Sequence, residues 1–236
     1  MSSGLPVVAS DWEGYHISVR HGETGFLVPT YWMKCDTLLC DLSPLSSWKL
    51  DHLYLSQSIC VDVDKMAYYL GLLIDREDLR RRMGETARKH VVRTYDWKVI
   101  IHRYEDLWEE LYKISREARL ARSFHKERWF RADYFKDFCH YATVILSNEP
   151  LYLTDYGIAI KEGNLQLKPY QEMKSMLSQD VIWRIFDIVA QSKGVEIETV
   201  IKRLIQDTGI SEENARYHLM WMLKYNLLSI SRMEDD

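Results

Sequence analysis

The hydrophobic pattern of the first sixty residues predicts two short strands joined by a turn. Leu5–Ser10 is an apolar, β-branched run, typical of a strand that is covered on both faces of a parallel sheet. A second run, Phe26–Val28, ends at Pro29, and Gly25 in front of it predicts a turn that needs a positive φ. Residues 30–60 show little periodicity, so we expect a long structured loop there.

Three amphipathic helices are predicted next. Apolar residues recur at helical spacing along residues 62–75, 76–95 and 96–120. Asp62 and Asp96 stand at the expected N-caps, because a short carboxylate accepts hydrogen bonds from the free N–H groups of a first turn. The apolar stripe of the third helix fades towards its end, and we place a domain boundary there.

The second half of the chain mixes short strands with helices. The segments "ATVIL", "LYLTDYGIAI" and "LQLKPY" favour strands, and Gly163-Asn164 predicts a hairpin turn. Two of the three helices that follow end at Gly194 and Gly209, the third begins at a Ser211 cap, and "LLSISR" predicts a last strand. This order of elements is typical of a winged-helix-like unit.

These patterns together predict an α/β fold class with two domains. Residues 1–118 form a partial Rossmann-like half-domain, and residues 119–140 form a linker. Residues 141–236 form a small α+β domain of the winged-helix-like kind.

Composition narrows the class of protein without naming a function. The chain has 236 residues, of which 47% are hydrophobic and 28% are charged. Its formal net charge is -4, so it lacks the excess of basic residues that is typical of proteins that bind nucleic acids or anionic membranes. The sequence shows no apolar run of bilayer length and no signal peptide, and we expect a cytoplasmic protein without a transmembrane segment. The four cysteines form no CxxC pair, so we expect free thiols, no metal site and no cofactor.

One short loop carries the candidate binding residues. Asp11, Glu13 and Gly14 follow the first strand, and parallel sheets present their ligand-facing loops at the carboxyl ends of strands. One interpretation is that these residues line a substrate-binding cleft; the other is a turn with solvated carboxylates. No catalytic residue is predicted, because the chain shows no Ser/His/Asp order, no Walker loop and no GxGxxG motif.

Several motifs of the first half resemble one enzyme family. The segments "GLPVVASDWEGY", "VRHGETGFLVPT", "RRRMGETAR" and "YDW" occur in that order within residues 1–118. They resemble the C-terminal part of the catalytic domain of the retaining, nucleotide-sugar-dependent glycosyltransferases of family 4, which have the GT-B fold. The resemblance implies transfer of a sugar from a nucleotide-sugar donor to an acceptor, with Asp11, Glu13 and Gly14 on the donor side.

The same resemblance implies that other parts of the enzyme precede these residues. In the family, a Glu-x7-Glu motif that binds the donor lies just ahead of the strand that corresponds to Leu5–Ser10, and the acceptor domain lies further upstream. We therefore expect no sugar transfer by this chain alone, because transfer requires donor and acceptor to be held between two domains.

The C-terminal domain suggests a different kind of function. Residues 178–236 contain ten acidic and seven basic residues, a poor footprint for DNA binding. Their helical pattern and the turn "GISEE" resemble the PqqD-like small domains, which implies a peptide or protein partner, in some cases bound as an added strand. A purely stabilising accessory domain is the alternative. The competing interpretation of the whole chain is thus a non-catalytic interaction protein.

Overall fold

The computed structural model describes residues 1–118 and 133–230, which form a mixed α/β protein with small sheets. The helices are α1 (Tyr15–Ser18), α2 (Thr37–Leu42), α3 (Trp48–Gln57), α4 (Val63–Asp75), α5 (Glu77–Tyr95), α6 (Trp97–Ala118), α7 (Tyr134–Phe138), α8 (Asp155–Lys161), α9 (Gln179–Val189), α10 (Ile197–Thr208) and α11 (Glu212–Lys224). The strands are β1 (Val7–Ser10), β2 (Gly25–Val28), β3 (Thr30–Trp32), β4 (Ile59–Val61), β5 (Val144–Ile145), β6 (Pro150–Leu153), β7 (Val195–Glu196) and β8 (Leu228–Ser229).

The described residues divide into two compact units that interleave along the sequence. The first unit holds residues 1–9, 14–27 and 66–118, and the second holds residues 10–13, 28–65 and 133–230. This grouping differs from the predicted division after residue 118, because residues 28–65 contribute strands and helices to the second unit. The predicted linker also contains structure, since α7 lies within it, while residues 119–132 lie outside the described part of the chain.

Strands β1 and β2 form a two-stranded sheet. The Val7 N–H donates to Thr24 O (3.4 Å) and the Asp11 N–H donates to Val28 O (2.8 Å). The paired residue numbers rise together along both strands, which is the hydrogen-bond pattern of a parallel pair. The parallel arrangement of these two short strands therefore agrees with the sequence prediction.

The first unit buries a small cluster beneath helices α4 and α5. Phe26 stacks on Tyr69 with ring centroids 4.5 Å apart, and Phe26 shares the cluster with Leu73 and Met83. Gly84 of α5 lies against the backbone of Gly4, where a Cβ atom would come within 2.1 Å of the carbonyl oxygen. The glycine of the "RRRMGETAR" segment therefore permits a helix to approach the chain closely.

Gly25 has a role other than the predicted one. It is the first residue of β2 and does not have a positive φ; the positive φ of this turn belongs to Gly22, at 77°. A Cβ atom at Gly25 would lie 1.9 Å from Val7 O of the neighbouring strand. Glycine is required there by close strand packing rather than by turn geometry.

Helix α6 presents apolar side chains to solvent along its length. Trp97, Trp108 and Tyr112 are 75%, 62% and 65% exposed. Further exposed apolar residues recur at three- and four-residue spacing: Ile101, Tyr104, Leu107, Leu111 and Ile114. The helix packs on α5, yet it keeps an exposed apolar stripe.

The second unit contains two three-stranded sheets. In the first, β3 lies between β4, which is antiparallel to it, and β5, which is parallel to it. In the second, β6 lies between β7 and β8 and is antiparallel to both. The prediction of a loop for residues 30–60 is wrong, because they contain β3, α2, α3 and β4.

Helices α9, α10 and α11 supply most of the core of the second unit. Their buried apolar residues are Val181, Ile182, Ile185, Phe186, Ile188, Val189, Ile197, Val200, Ile201, Leu204, Ala215, Leu219, Met220, Trp221, Met222 and Leu223. A polar group in this core is paired: the Tyr217 hydroxyl donates to Tyr54 O at 2.9 Å. The predicted Ser211 cap is confirmed, since its side chain accepts from Asn214 N, and Gly209 ends α10 with a φ of 70°.

The predicted hairpin at Gly163-Asn164 is wrong. Thr154 caps a helix instead, because its side chain accepts from Gly157 N at 2.9 Å, and α8 follows directly. Gly157 lies against Leu227 O, at a distance of 2.1 Å from where a Cβ would stand. The alternation of "LYLTDYGIAI" therefore spans a strand and a helix, and "LQLKPY" forms no strand in the described part of the chain.

Among the described residues, no helix has the length and apolar character needed to cross a bilayer.

Candidate functional site

The predicted donor-side loop lies directly after β1. The Asp11 carboxylate accepts a hydrogen bond from Thr143 Oγ1 at 3.0 Å, and Asp11 O accepts from Thr30 Oγ1 at 2.8 Å. Asp11 therefore helps to hold β3 and the segment before β5 in place, within the second unit. Its side chain has a structural role in addition to any role in binding.

Glu13 and Gly14 differ in backbone conformation. Glu13 has a φ of 51°, in the left-handed region that glutamate seldom adopts, and its side chain is exposed. Gly14 has an ordinary φ of -67° and precedes α1, where its carbonyl accepts from the Ser18 hydroxyl at 3.1 Å. The strained residue of this loop is therefore the glutamate and not the glycine.

His21, Asp51 and His52 each have a structural partner outside the loop. His21 Nδ1 accepts from the Leu27 N–H at 3.1 Å, which agrees with a turn-shaping role. Asp51 accepts from Ser43 and Tyr134, while the His52 ring lies edge-on to Trp48. The adjacent Asp51 and His52 therefore have separate partners and form no acid–base pair.

A cavity of the second unit lies between α2 and the start of α11. It has a volume of about 450 Å³. The residues that line it are Cys35, Thr37, Leu38, Asp41, Met176, Ser211, Glu212, Glu213, Asn214 and Tyr217. We call this cavity the α2–α11 cleft.

Hydrogen bonds position the polar wall of the α2–α11 cleft. The Thr37 hydroxyl donates to Glu213 Oε1 at 2.6 Å and so joins α2 to α11. Glu212 pairs with Arg216 at 2.5 Å, one turn further along the helix. The Ser211 hydroxyl caps α11 by accepting a hydrogen bond from a backbone N–H of its first turn. Glu212 and Glu213 in the same turn are favourable next to the positive end of the helix dipole.

The described lining of the α2–α11 cleft contains no activated nucleophile. Burial is the largest of the effects that raise the pKa of the Cys35 thiol well above its usual range, and neighbouring acidic groups raise it further. Burial also raises the pKa of the Tyr217 hydroxyl. Because the thiolate is the reactive form of cysteine, the raised pKa disfavours a nucleophilic role for Cys35 in the wall of the cleft.

The side chain of Asn214 has an acceptor without a partner among the described residues. The Asn214 side-chain oxygen is shielded from solvent and has no hydrogen bond, although the Asn214 backbone is bonded at both N and O. The backbone carbonyl of Asn214 accepts a hydrogen bond from His218 Nδ1 at 2.8 Å, and His218 Nε2 accepts one from the Ser178 N–H at 2.8 Å. The neutral ring of His218 thus supports the residue next to the cleft.

The sequence did not predict the α2–α11 cleft. Its walls come from residues near 37 and near 213, which no short motif connects. The only local signal is the Ser211 cap followed by two glutamates, which indicates a helix start and not a site. Within the described ranges, no group of three or more His, Cys, Asp or Glu residues is arranged to hold a metal ion.

No protein-family model, no curated protein and no solved structure matches this chain.

Proposed function

We propose that this chain contributes the C-terminal part of the catalytic domain of a nucleotide-sugar-dependent glycosyltransferase with the GT-B fold. The donor would be a nucleotide sugar, and the loop with Asp11, Glu13 and Gly14 would face it. The proposal rests first on the order of the motifs in residues 1–118, and one feature of the structure supports it.

That feature is the backbone of Glu13. A left-handed glutamate costs about 1–3 kcal/mol, and such strain persists where the surrounding structure over-determines it, most often at functional sites. Glu13 occupies this conformation directly after the carboxyl end of a parallel strand, which is where α/β sheets present ligand-binding loops. The exposed carboxylate has the acceptor oxygens to bind hydroxyl groups of a ribose or a sugar.

Close packing around the same strands also supports the proposal. Gly25 and Gly84 allow two backbone approaches that no other residue would permit. Both glycines lie inside the segments that resemble the glycosyltransferase family. The motifs that resemble the family therefore include two positions at which the packing of the fold requires glycine.

The proposal is tested by donor consumption. The protein is purified from its own cells through a tag at the C-terminus, under conditions that recover any part of the enzyme joined or bound to it. Release of nucleoside diphosphate from uridine, guanosine and adenosine diphosphate sugars is then measured with a cell extract as the source of acceptor. We expect release from at least one donor, and at least a tenfold decrease in Glu13→Gln, about 1.4 kcal/mol of lost stabilisation.

The matched control is Glu110→Gln, an equally exposed glutamate on α6. It has no place in the proposed site and is expected to leave release unchanged. Absence of release from every donor, or equal losses in the two variants, would contradict the proposal.

A second candidate function is recruitment of a protein partner by the second unit, within a winged-helix-like, PqqD-like domain. It is favoured by β5, which is an outer strand of its sheet and exposes Val144 and Ile145. An outer strand of this kind offers unpaired backbone groups to an added strand. The test compares proteins that co-purify with Ile145→Glu and with Leu165→Glu, which changes an equally exposed residue away from β5. A partner lost only in Ile145→Glu supports recruitment, and identical sets exclude it.

A further inference from the structure

Most of helix α6 is uncovered within the first unit. Within residues 97–117 only Val99 and Ile100 are half-buried, and every residue from 101 to 117 is exposed. Helices in proteins owe most of their stability to the packing of an apolar face, and a large exposed apolar patch marks an interaction surface. The uncovered part of α6 is therefore a candidate interface.

The exposed apolar side chains of α6 follow the spacing of a coiled coil. Alternate steps of four and three residues separate Trp97, Ile101, Tyr104, Trp108 and Leu111. We call these five side chains the α6 seam. A seam with this heptad spacing packs best against another helix, because each side chain inserts between residues of the facing helix.

Charges beside the α6 seam favour a second copy of the chain in antiparallel orientation. Lys98 and Glu105 directly follow Trp97 and Tyr104, so they occupy the same heptad position on one flank. An antiparallel copy with Trp97 opposite Trp108 brings Lys98 of each helix next to Glu105 of the other. The two-fold symmetry of such a dimer forms this ion pair twice.

Two competing arrangements of the same helices lack this complementarity. A parallel pair places Glu105 beside the apolar Ile100 of the second copy. An antiparallel pair shifted by one heptad places the two Glu105 carboxylates against each other, where like charges repel. Glu105 also contacts His102 at 3.0 Å on its own helix, but both side chains are exposed and such a pair contributes little.

The area of the α6 seam indicates how strong the pairing is. Trp97, Tyr104 and Trp108 together expose roughly 300–450 Å² per copy, or about 600–900 Å² in two copies. Ile101 and Leu107 add further apolar area, whereas standard interfaces bury about 1,200–2,000 Å² in total. The contact lies at the low end of this range, so we expect a dissociation constant in the micromolar range.

We propose that α6 pairs with α6 of a second copy in antiparallel orientation, with Trp97 against Trp108 and Lys98 against Glu105. The proposal concerns α6 alone and does not depend on the glycosyltransferase proposal. It requires opposite charges at two defined positions, and a non-specific association of apolar surfaces would not.

The test reverses these two charges singly and together. Sedimentation equilibrium of the purified chain at low salt gives the dissociation constants of the original protein, Lys98→Glu, Glu105→Lys and the double variant. Each single reversal places like charges together twice, so we expect dimerisation to weaken at least about tenfold. The double variant restores opposite charges and is expected to return to within about threefold of the original constant.

Two controls separate pairing from the stability of α6. Glutamate is more favourable than lysine in a first helical turn, so Lys98→Glu is expected to leave the helix content by circular dichroism equal or higher while the dimer weakens. Asp106→Lys changes an exposed charge on the face opposite the α6 seam and is expected to leave the dissociation constant unchanged. A chain that stays monomeric throughout the micromolar range, no recovery in the double variant, or an equal loss in Asp106→Lys would overturn the proposal.

Discussion

Two helix glycines of the first unit are expected to respond in opposite directions to the same substitution. Gly84 in α5 and Gly71 in α4 are both interior helical residues. A Cβ atom at Gly71 would meet nothing within 4 Å, whereas a Cβ at Gly84 would lie 2.1 Å from Gly4 O. Replacement by alanine therefore tests the close approach of α5 to the start of the chain.

The magnitude follows from two terms. Alanine stabilises a helix interior by about 0.5–1 kcal/mol relative to glycine, and this gain applies at both positions. At Gly84 the new methyl group requires a separation of at least about 3.3 Å from the carbonyl oxygen, so the backbone must move by roughly 1 Å. Overpacking of this kind costs about 1–3 kcal/mol, and a backbone atom cannot rotate away as a side chain can.

We therefore expect Gly71→Ala to stabilise the first unit by about 0.5–1 kcal/mol. We expect Gly84→Ala to destabilise it, by up to about 2.5 kcal/mol after the helical gain is subtracted from the cost of overpacking. The assay is amide hydrogen exchange followed by mass spectrometry, with peptides from residues 4–10 and from α5, because it reports on each unit separately. Faster exchange in Gly84→Ala and slower exchange in Gly71→Ala would agree with the structure. Equal stabilisation by both substitutions would refute the close contact between α5 and Gly4.

Three further predictions concern other parts of the chain. Burial lowers the pKa of the His218 ring in the folded chain from its ordinary value of 6.5. The unfolded chain therefore binds a proton at His218 more readily than the folded chain does. The stability that the neutral ring contributes above pH 6.5 is lost as the pH falls through the folded pKa. We expect urea unfolding to show this decrease in the second unit and to show a smaller one in His218→Gln; the same pH profile in both would contradict the assignment. Glu13→Asn is expected to raise the free energy of unfolding by up to about 1 kcal/mol, since asparagine tolerates the left-handed region better, and a lower melting temperature would argue against backbone strain. Three side chains of α6 together expose about 300–500 Å², namely Trp97, Trp108 and Tyr112. We therefore expect analytical ultracentrifugation to show concentration-dependent association of the chain, and weaker association in Trp108→Ser. An equal monomer content in the original chain and in Trp108→Ser would contradict this expectation.

Local signals in the sequence predicted most helix limits. The predicted end at Gly194 is wrong, because α9 already ends at Val189. Asp62 and Asp96 cap their helices as expected, since Lys65 N donates to Asp62 Oδ1 and Lys98 N donates to Asp96 Oδ1. These features depend on residues within one helical turn, so a pattern along the chain contains the necessary information. Gly209 ends its helix for a similarly local reason, a left-handed φ.

Contacts between distant residues could not be predicted in the same way. Strand β3 pairs with β5 across more than a hundred residues, and this pairing brings residues 28–65 into the second unit. Only the folded chain shows that Gly25 faces a neighbouring strand or that Thr154 caps a helix instead of continuing a strand. The α2–α11 cleft belongs to this class as well, because Thr37 and Glu213 meet only after folding.

For the loop after β1, the sequence predicted the position and not the conformation. Its place at the end of a parallel strand follows from the hydrophobic pattern. The left-handed backbone of Glu13 and the hydrogen bond between Asp11 and Thr143 depend on tertiary structure. They change which residue of the loop is the better candidate for contact with a ligand. Glu13 becomes the stronger candidate for ligand contact, since the Asp11 carboxylate already has a partner within the protein.

The most direct test of the glycosyltransferase proposal is a donor-binding measurement on the protein purified from its own cells. Saturation-transfer NMR with uridine, guanosine and adenosine diphosphate sugars detects binding without knowledge of the acceptor. We expect saturation transfer to at least one of these donors and its displacement by the matching nucleoside diphosphate. We also expect a weaker signal in Glu13→Gln than in Glu110→Gln. Absence of saturation transfer to every donor, in protein that unfolds cooperatively on heating, would contradict the proposal that residues 1–118 belong to a glycosyltransferase.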